Sequence, residues 1–571
     1  MHLPLLFLLF GLVWGDSYNE QLKITRLPSG NLMTEFRFVI TSDGPQLGAN
    51  YSLFPRIMAE LIHSHSLAEL SFMLTQGRWH GSSWGLPPQP NGPTGASVHA
   101  WVYGNETEVD DRWRTLINSL NGLFCTAMTS IVPELTSSPR FAFERPASDK
   151  EHEMHIRYSA VGKESVCTEN LTPWRKLLPC KQHGLVTLLN PLKLYESVYH
   201  SMGVELRQSG EGDSINYQLQ LIIYNVLDIP VKSGKLDWSI SELFNRKATG
   251  TCAAATSSMV IVELDKGIHL EPPPQRIVSD KFGVYDLKMN SSSPSFSVSA
   301  YYDDMFDFLS SEEQETFSLS SFIGGTDQHD GVLVSILKNG GSSLRVTFTH
   351  QLPWFMMIYY HTIEVTCVDL EHGHEQVFKI HKRHFVPAIS RRRPALIEME
   401  LDLPSRSKCQ VRLEFEKAFL RIREYPPDAN HGMYVPAAIV TFEKERDSDN
   451  SKKQNDLESK TRLETGATER IVVHGNVLLL ALPVPDFSMP FNVICFVMTT
   501  VSLCFGPIHS FSTKILIPIN TALPSSSLPR KLFRMVLLIL LGVAFYAQYR
   551  EMSLHEIRRS IEQFFEKMNS V

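Results

Sequence analysis

Three groupings of residue types in this sequence could do chemistry, and each needs a different setting. Gly81-Ser82-Ser83-Trp84-Gly85 has the spacing of a nucleophile elbow, in which a serine sits exposed on a sharp turn between a strand and a helix. Leu86-Pro87-Pro88 follows at once, and prolines there forbid the helix. The motif therefore reads as a surface turn. His63 and His65 are two apart, as are His372 and His374, so on a strand each pair would share a face. No Cys-x-x-Cys or His-Glu-x-x-His completes a ligand set, and the pairs read as solvated histidines. A cysteine with a distant histidine could form a hydrolase dyad, but 21 histidines nominate none. There is no phosphate-cradling glycine loop. No catalytic residue, metal or cofactor is expected on this reading.

Eight cysteines in 571 residues are too few for a disulfide-dense scaffold. Cys495 and Cys504 fall within an apolar run and read as reduced, packed side chains. Cys125, Cys167, Cys180, Cys252, Cys367 and Cys409 precede it and suit an oxidising compartment, where disulfides persist. They can form three internal bridges, or equally keep one thiol for a partner chain. Lys379, His381, Lys382, Arg383, His384, Arg391, Arg392 and Arg393 form a basic stretch free of acidic residues. It reads as a solvated loop, with contact to lipid phosphates or to an acidic partner as the alternative.

The elements that must position these residues start with a compartment. Residues 3–13 are uninterruptedly apolar, with Val13 and Gly15 suited to a cleavage site. This run is too short to span a bilayer and predicts a signal peptide over residues 1–15. Residues 487–511 are free of Asp, Glu, Lys and Arg and exceed the roughly 20 residues that cross a bilayer. They predict a transmembrane helix, with Pro490 where a missing N–H does no harm. Lys514, Arg530, Lys531 and Arg534 follow with no acid before Glu551, which favours a cytosolic side and a type I orientation. The tail, 512–571, is then cytosolic. It holds either a second short span at 535–549 or an amphipathic helix bearing Leu554, Ile557, Ile561, Phe564, Phe565 and Met568. Asn50, Asn105, Asn170 and Asn290 open N-x-S/T glycosylation sequons on the lumenal side.

The net charge of −7, from 54 basic and 61 acidic side chains, argues against a nucleic-acid partner. A hydrophobic fraction of 43% excludes wholesale disorder. The fold class expected is α+β, predominantly β: a lumenal, β-sandwich-like ectodomain followed by a C-terminal transmembrane helix. Strict apolar/polar alternation at 396–403, 411–416, 32–40 and 296–300 predicts half-buried strands. Trp113, Leu116, Ile117, Leu120 and Phe124 recur at helical spacing after Asp110, a candidate cap. Residues 55–64, with Pro55 at the first turn, predict a second helix. An α+β region over 16–185 and a β-rich region over 186–486 are expected. Residues 443–470, charged and without an aromatic, are expected to form a mobile loop.

Val166-Cys167-Thr168-Glu169-Asn170-Leu171-Thr172-Pro173-Trp174-Arg175-Lys176-Leu177-Leu178-Pro179-Cys180 closely resembles a signature of the PIG-T family. The resemblance recurs in Leu27-Pro28-Ser29-Gly30, Thr75-Gln76-Gly77-Arg78-Trp79 and Leu352-Pro353-Trp354. It returns in Glu424-Tyr425-Pro426-Pro427-Asp428-Ala429-Asn430-His431-Gly432-Met433-Tyr434-Val435 and in Pro485-Asp486-Phe487-Ser488-Met489-Pro490-Phe491-Asn492-Val493-Ile494-Cys495. It implies a non-catalytic, largely lumenal glycoprotein of the endoplasmic reticulum membrane. Such a subunit stabilises the GPI transamidase, which attaches GPI anchors to proteins. It further implies that the catalytic cysteine lies on another subunit, PIG-K, that Cys167 is disulfide-linked to it, and that PIG-S and PIG-U are partners. Asn430, Asp486, Ser488 and Asn492 would contact the GPI lipid. Asp486, Ser488 and Asn492 also make physical sense beside the span, where polar groups need partners, although Asp486 or Ser488 could equally cap the helix. Residues 535–549, the amphipathic tail and the charged loop depart from the family pattern. From the residues alone, a lumenal hydrolase acting alone and a generic type I cell-surface receptor are the alternatives.

Overall fold

The computed structural model describes residues 16–42, 53–128, 134–146, 153–209, 216–228, 237–264, 267–289, 295–302, 317–325, 329–370, 373, 375–378, 380–445, 468–484, 488–513, 532–539 and 541–542. The chain separates into two units, residues 1–484 and 485–571, each taken by itself.

Alternating side chains along Leu32–Ser42 and its neighbours build an 11-stranded sheet in the first unit. Its centre runs Ser257–Glu263, Ser17–Arg26, Leu32–Ser42, Asn216–Leu227, Tyr199–Ser209, Leu67–Gln76, Gly95–Tyr103, Met154–Val161. All these neighbours pair antiparallel except Ser17–Arg26 with Ser257–Glu263. The helices Arg56–His65, Glu106–Phe124 and Thr168–Lys176 bury their apolar stripes in the core of this sheet. Phe124 stacks on Phe72, and Trp174 meets Phe38 edge to face. Burying such a side chain contributes about 1.5–3 kcal/mol.

A second core gathers residues from Phe317 to Leu482. Two five-stranded sheets enclose it, one ordered Phe317–Gly324, Asp330–Asn339, Ser407–Lys417, Met356–Asp369, Glu375–Val377. The other is ordered Lys382–Val386, Ala395–Leu403, Leu344–Leu352, Ile439–Glu445, Thr468–His474. This is the expected β-sandwich. The alternating residues Ile397, Met399 and Leu401 of one sheet and Val411, Leu413 and Phe415 of the other fill its interior.

The boundary expected near residue 185 does not divide these sheets. Tyr199–Ser209 and Asn216–Leu227 lie at the centre of the first one, so the first module runs to Tyr302 and the second begins at Phe317. Sheet neighbours are chosen by which apolar faces bury together, and no local residue pattern at 185 records that choice. The long helix starts a turn earlier than expected, at Glu106 with Asn105 as its N-cap; Asp110 lies inside it and binds Arg157 at 2.7 Å. Both ends of 443–470 are strand, because Ile439–Glu445 pairs with Thr468–His474; residues 446–467 lie outside the described residues. The alternation at 296–300 belongs to two short strands, Ser295–Phe296 and Ser299–Tyr302.

Gly81–Trp84 is a single helical turn that ends at Gly85, so no nucleophile elbow forms. His65 is buried beside Thr115 and Ser119, and His372 and His374 lie outside the described residues. Among the described residues no group of three His, Cys, Asp or Glu could hold a metal.

In the second unit the apolar run forms the helix Ser488–Ser512, and Phe491–Ser512 is long and apolar enough to cross a membrane. Cys495 and Cys504 are exposed on it rather than packed. Residues 532–539 and 541–542 are helical; the signal-peptide residues 1–15 and the tail 543–571 lie outside the described residues.

Candidate functional site

The singled-out residues fall in two stretches of the chain. The first is the corner around Cys167. Cys180 bonds to Cys252 and Cys367 to Cys409, which leaves Cys125 and Cys167 as thiols. Cys167 is extended, at φ −144° and ψ 179°, and stands at the N-cap of Thr168–Lys176. Its N–H donates to Asn170 Oδ1 at 2.7 Å, and its carbonyl accepts the Tyr195 hydroxyl at 2.6 Å. Asn170 is 1% exposed. Its Nδ2 donates to the carbonyls of Phe124 at 2.7 Å and Cys125 at 3.2 Å, beyond the end of the long helix.

One buried amide thus ties the first residue of one helix to the last turn of another. Burial, with Cys167 alongside, raises the Tyr195 phenol pKa and keeps its proton available for donation. Trp174, with Nε1 on the Gly203 carbonyl at 2.9 Å, and the Cys180–Cys252 bridge fix the far end of the same segment. The backbone on both sides of the Cys167 thiol is therefore held, while the thiol stays partly exposed. A thiol so placed can be joined to another chain by disulfide exchange without distorting the fold.

The second place is where the chain leaves the first unit. Met433–Val435 pairs with Leu478–Leu480, the last strand before the apolar helix. Gly432, at φ 83°, makes the turn into this pair. A Cβ there would lie 2.4 Å from the Leu480 carbonyl oxygen, so only glycine fits. Tyr425 donates its hydroxyl to the Pro483 carbonyl at 2.5 Å. Asn430 sits exposed on the turn Ala429–His431, with its N–H on Asp428 Oδ1 at 3.1 Å. Ser488 begins the apolar helix, Asn492 is exposed on it, and Asp486 lies outside the described residues. Of the four lipid-contact expectations, Asn430 therefore belongs to the first unit and Ser488 and Asn492 to the second.

The remaining blocks of resemblance do their work in turns and seams. Gly77, at φ 85°, lets the chain pass the Val198 carbonyl, and Arg78 reaches the Leu319 carbonyl in the second module at 3.4 Å. Trp354 donates to Glu134 of the first module at 3.2 Å. Glu398, fully buried in the sandwich, accepts the N–H groups of Arg140, Phe141 and Ala142. Three of the eight residues of the basic stretch are paired: Lys382 with Glu400, His381 with Asp402, and Arg391 with Glu424. Asn50 and Asn290 lie outside the described residues, Asn105 is exposed, and Asn170 is the buried brace described above. A glycan on Asn170 Nδ2 would displace the hydrogen bonds that this nitrogen makes. Sequence reading took Asn170 as a sequon and missed Tyr195 and Glu398; the Cys-x-x-Asn spacing of 167 and 170, that of a capping box, is the one local signal, and it points to Asn170.

A β-rich unit of two modules, followed by one helix long and apolar enough to cross a membrane, is the class of protein that these features define. The family model described as "Gpi16 subunit, GPI transamidase component" matches residues 3–237 and 230–535. The chain is 32% identical to the "GPI-anchor transamidase component PIGT" of Mus musculus and to that of Homo sapiens, over 87% of this chain and 90% of each relative. It is 25% identical to the "GPI transamidase component GPI16" of Saccharomyces cerevisiae, over 88% of this chain and 90% of that one. The chain belongs to the Gpi16/PIG-T family of GPI transamidase components.

Proposed function

We propose that this chain is the non-catalytic, lumenal scaffold subunit of a GPI transamidase in the endoplasmic reticulum membrane. In this reading Cys167 is disulfide-linked to PIG-K, which carries the catalytic cysteine, and PIG-S and PIG-U are further partners. Asn430, Asp486, Ser488 and Asn492 contact the GPI lipid at the headgroup level, and Asn105 presents a glycan. Membership of the family supports the complex. The observation that supports the link is the Cys167 thiol, which, like Cys125, is left out of both internal disulfides, and which Asn170 and Tyr195 brace. The linkage forms by attack of one thiolate on a disulfide sulfur, with the displaced thiol leaving reduced.

The test is a non-reducing gel of the purified complex. A band joining this chain to a second polypeptide, lost in Cys167→Ser and kept in Cys125→Ser, is expected. Its persistence in Cys167→Ser sinks the assignment. A null line that still displays GPI-anchored proteins at its surface sinks the role itself.

A further inference from the structure

Three loops gather at one end of the sandwich. Arg391, in the left-handed region at φ 61°, lies 4.7 Å over the Trp354 ring and pairs with both carboxylate oxygens of Glu424. The Ala418 N–H donates to the Phe355 carbonyl at 2.9 Å, and Ile389 and Arg393 close a tight turn. These bonds hold three apolar side chains out in the open: Ile389 is 46% exposed, Phe419 67% and Ile422 68%. Arg392, Arg393, Arg421 and Arg423 stand among them, also exposed. Residues 387–393 and 417–428 hold six basic side chains (Arg391, Arg392, Arg393, Lys417, Arg421, Arg423) against two acidic ones, Glu424 and Asp428. Both carboxylates are engaged, Glu424 by Arg391 and the Arg421 N–H, and Asp428 by the Asn430 N–H. Among the described residues Arg392, Arg421 and Arg423 make no ion pair.

We propose that this end of the sandwich is a second membrane contact, seated on anionic phospholipid headgroups. Two observations select lipid. Exposed aliphatic and aromatic side chains interleaved with arginines match an interface where apolar groups enter the acyl boundary and guanidinium groups meet phosphates. The same loop is tied by Tyr425 to Pro483, which in sequence stands shortly before the apolar helix that begins at Ser488. The inference rests on the apolar helix spanning a bilayer and not on the role of Cys167. It gives the basic stretch a division of labour: Lys382, His381 and Arg391 hold the fold, while Arg392 and Arg393 face the lipid.

Hydrogen exchange on the full chain tests this, in detergent, in neutral phosphatidylcholine nanodiscs and in nanodiscs with about one-third phosphatidylserine. Peptides 387–393 and 417–425 are expected to exchange at least about threefold more slowly in the anionic discs than in detergent. The variant Arg392→Glu/Arg393→Glu/Arg421→Glu/Arg423→Glu abolishes this slowing, and Phe419→Ser/Ile422→Ser reduces it. Unchanged protection of Ala395–Leu403 shows that each variant is folded. Equal exchange in all three media, with 491–512 protected in the discs, overturns the proposal. So does slowing that arises only when co-purifying chains are added, which assigns the patch to a protein partner. Exchange of 491–512 in discs as fast as in an unfolded peptide overturns the spanning reading and this one with it.

Discussion

The Cys167 corner and the chain exit hold their residues by opposite means. Around Cys167 a buried amide, a half-buried phenol and a disulfide hold the backbone on either side of the thiol. At the exit, Asn430 stands on a short exposed turn held by Asp428 and by one three-residue strand pair. A thiol that must meet a second sulfur at bonding distance gains from a fixed backbone, since disulfide geometry tolerates little misplacement. A side chain that meets a mobile glycolipid needs reach more than rigidity. The difference also predicts that cutting the brace around the thiol acts through stability, whereas changing the exposed Asn430 does not.

The comparison can be broken most completely by Cys167→Ser, which is expected to remove the proposed interchain band and to leave the melting temperature of the isolated chain unchanged. Next in size is the double variant Cys180→Ser/Cys252→Ser. The bridge closes a separation of 72 residues, and its loss is expected to cost about 4 kcal/mol, read by chemical denaturation. Asn170→Ala leaves the Cys167 N–H and two carbonyls without partners. It is expected to cost about 2–3 kcal/mol and to lower the yield of linked complex on the gel. If Asn170→Ala is neutral for both, the brace is not what positions Cys167. Tyr425→Phe removes one exposed-side hydrogen bond at the exit and is expected to cost about 1 kcal/mol or less.

The gentlest probe is pH between 7 and 6. Burial depresses His99 to about 3 and His200, His350 and His474 to about 4. These four are neutral in the fold but take up protons when unfolded, so their contribution is lost as pH falls below about 6.5 toward 4. Burial raises Glu20 and Glu69 to about 7. For them the folded state binds the extra proton, so their burial penalty fades as pH falls from about 7 to 4.5. Four groups against two give a stability maximum near neutrality, a small loss by pH 6 and a steeper one toward pH 4, measurable by urea midpoints. A midpoint that rises steadily on acidification to pH 5 contradicts this balance.

Much of the scaffold was legible because its signals are local. Ile397, Met399 and Leu401 alternate with acids and lie inward on the strand Ala395–Leu403. Trp113, Leu116, Ile117, Leu120 and Phe124 recur at helical spacing and form the buried stripe of Glu106–Phe124. The apolar run at 487–511 is the helix Ser488–Ser512, displaced by one residue. The long helix starts at Glu106, before Asp110, which pairs with the distant Arg157 from inside the helix, a contact that no local pattern records.

What the residues determined by themselves is therefore the set of elements, their inward faces, the membrane-spanning length and the block pattern shared with a family. Which strands became neighbours was decided only in three dimensions, and with it the extent of the first module and the fate of each cysteine. Cys367 and Cys409 bond because strand register sets them opposite each other. Cys167 stays free while Cys180 bonds to Cys252, 72 residues further along the chain. Register and packing sum many weak contacts over distant segments, so no window of sequence around a cysteine or an asparagine contains the answer.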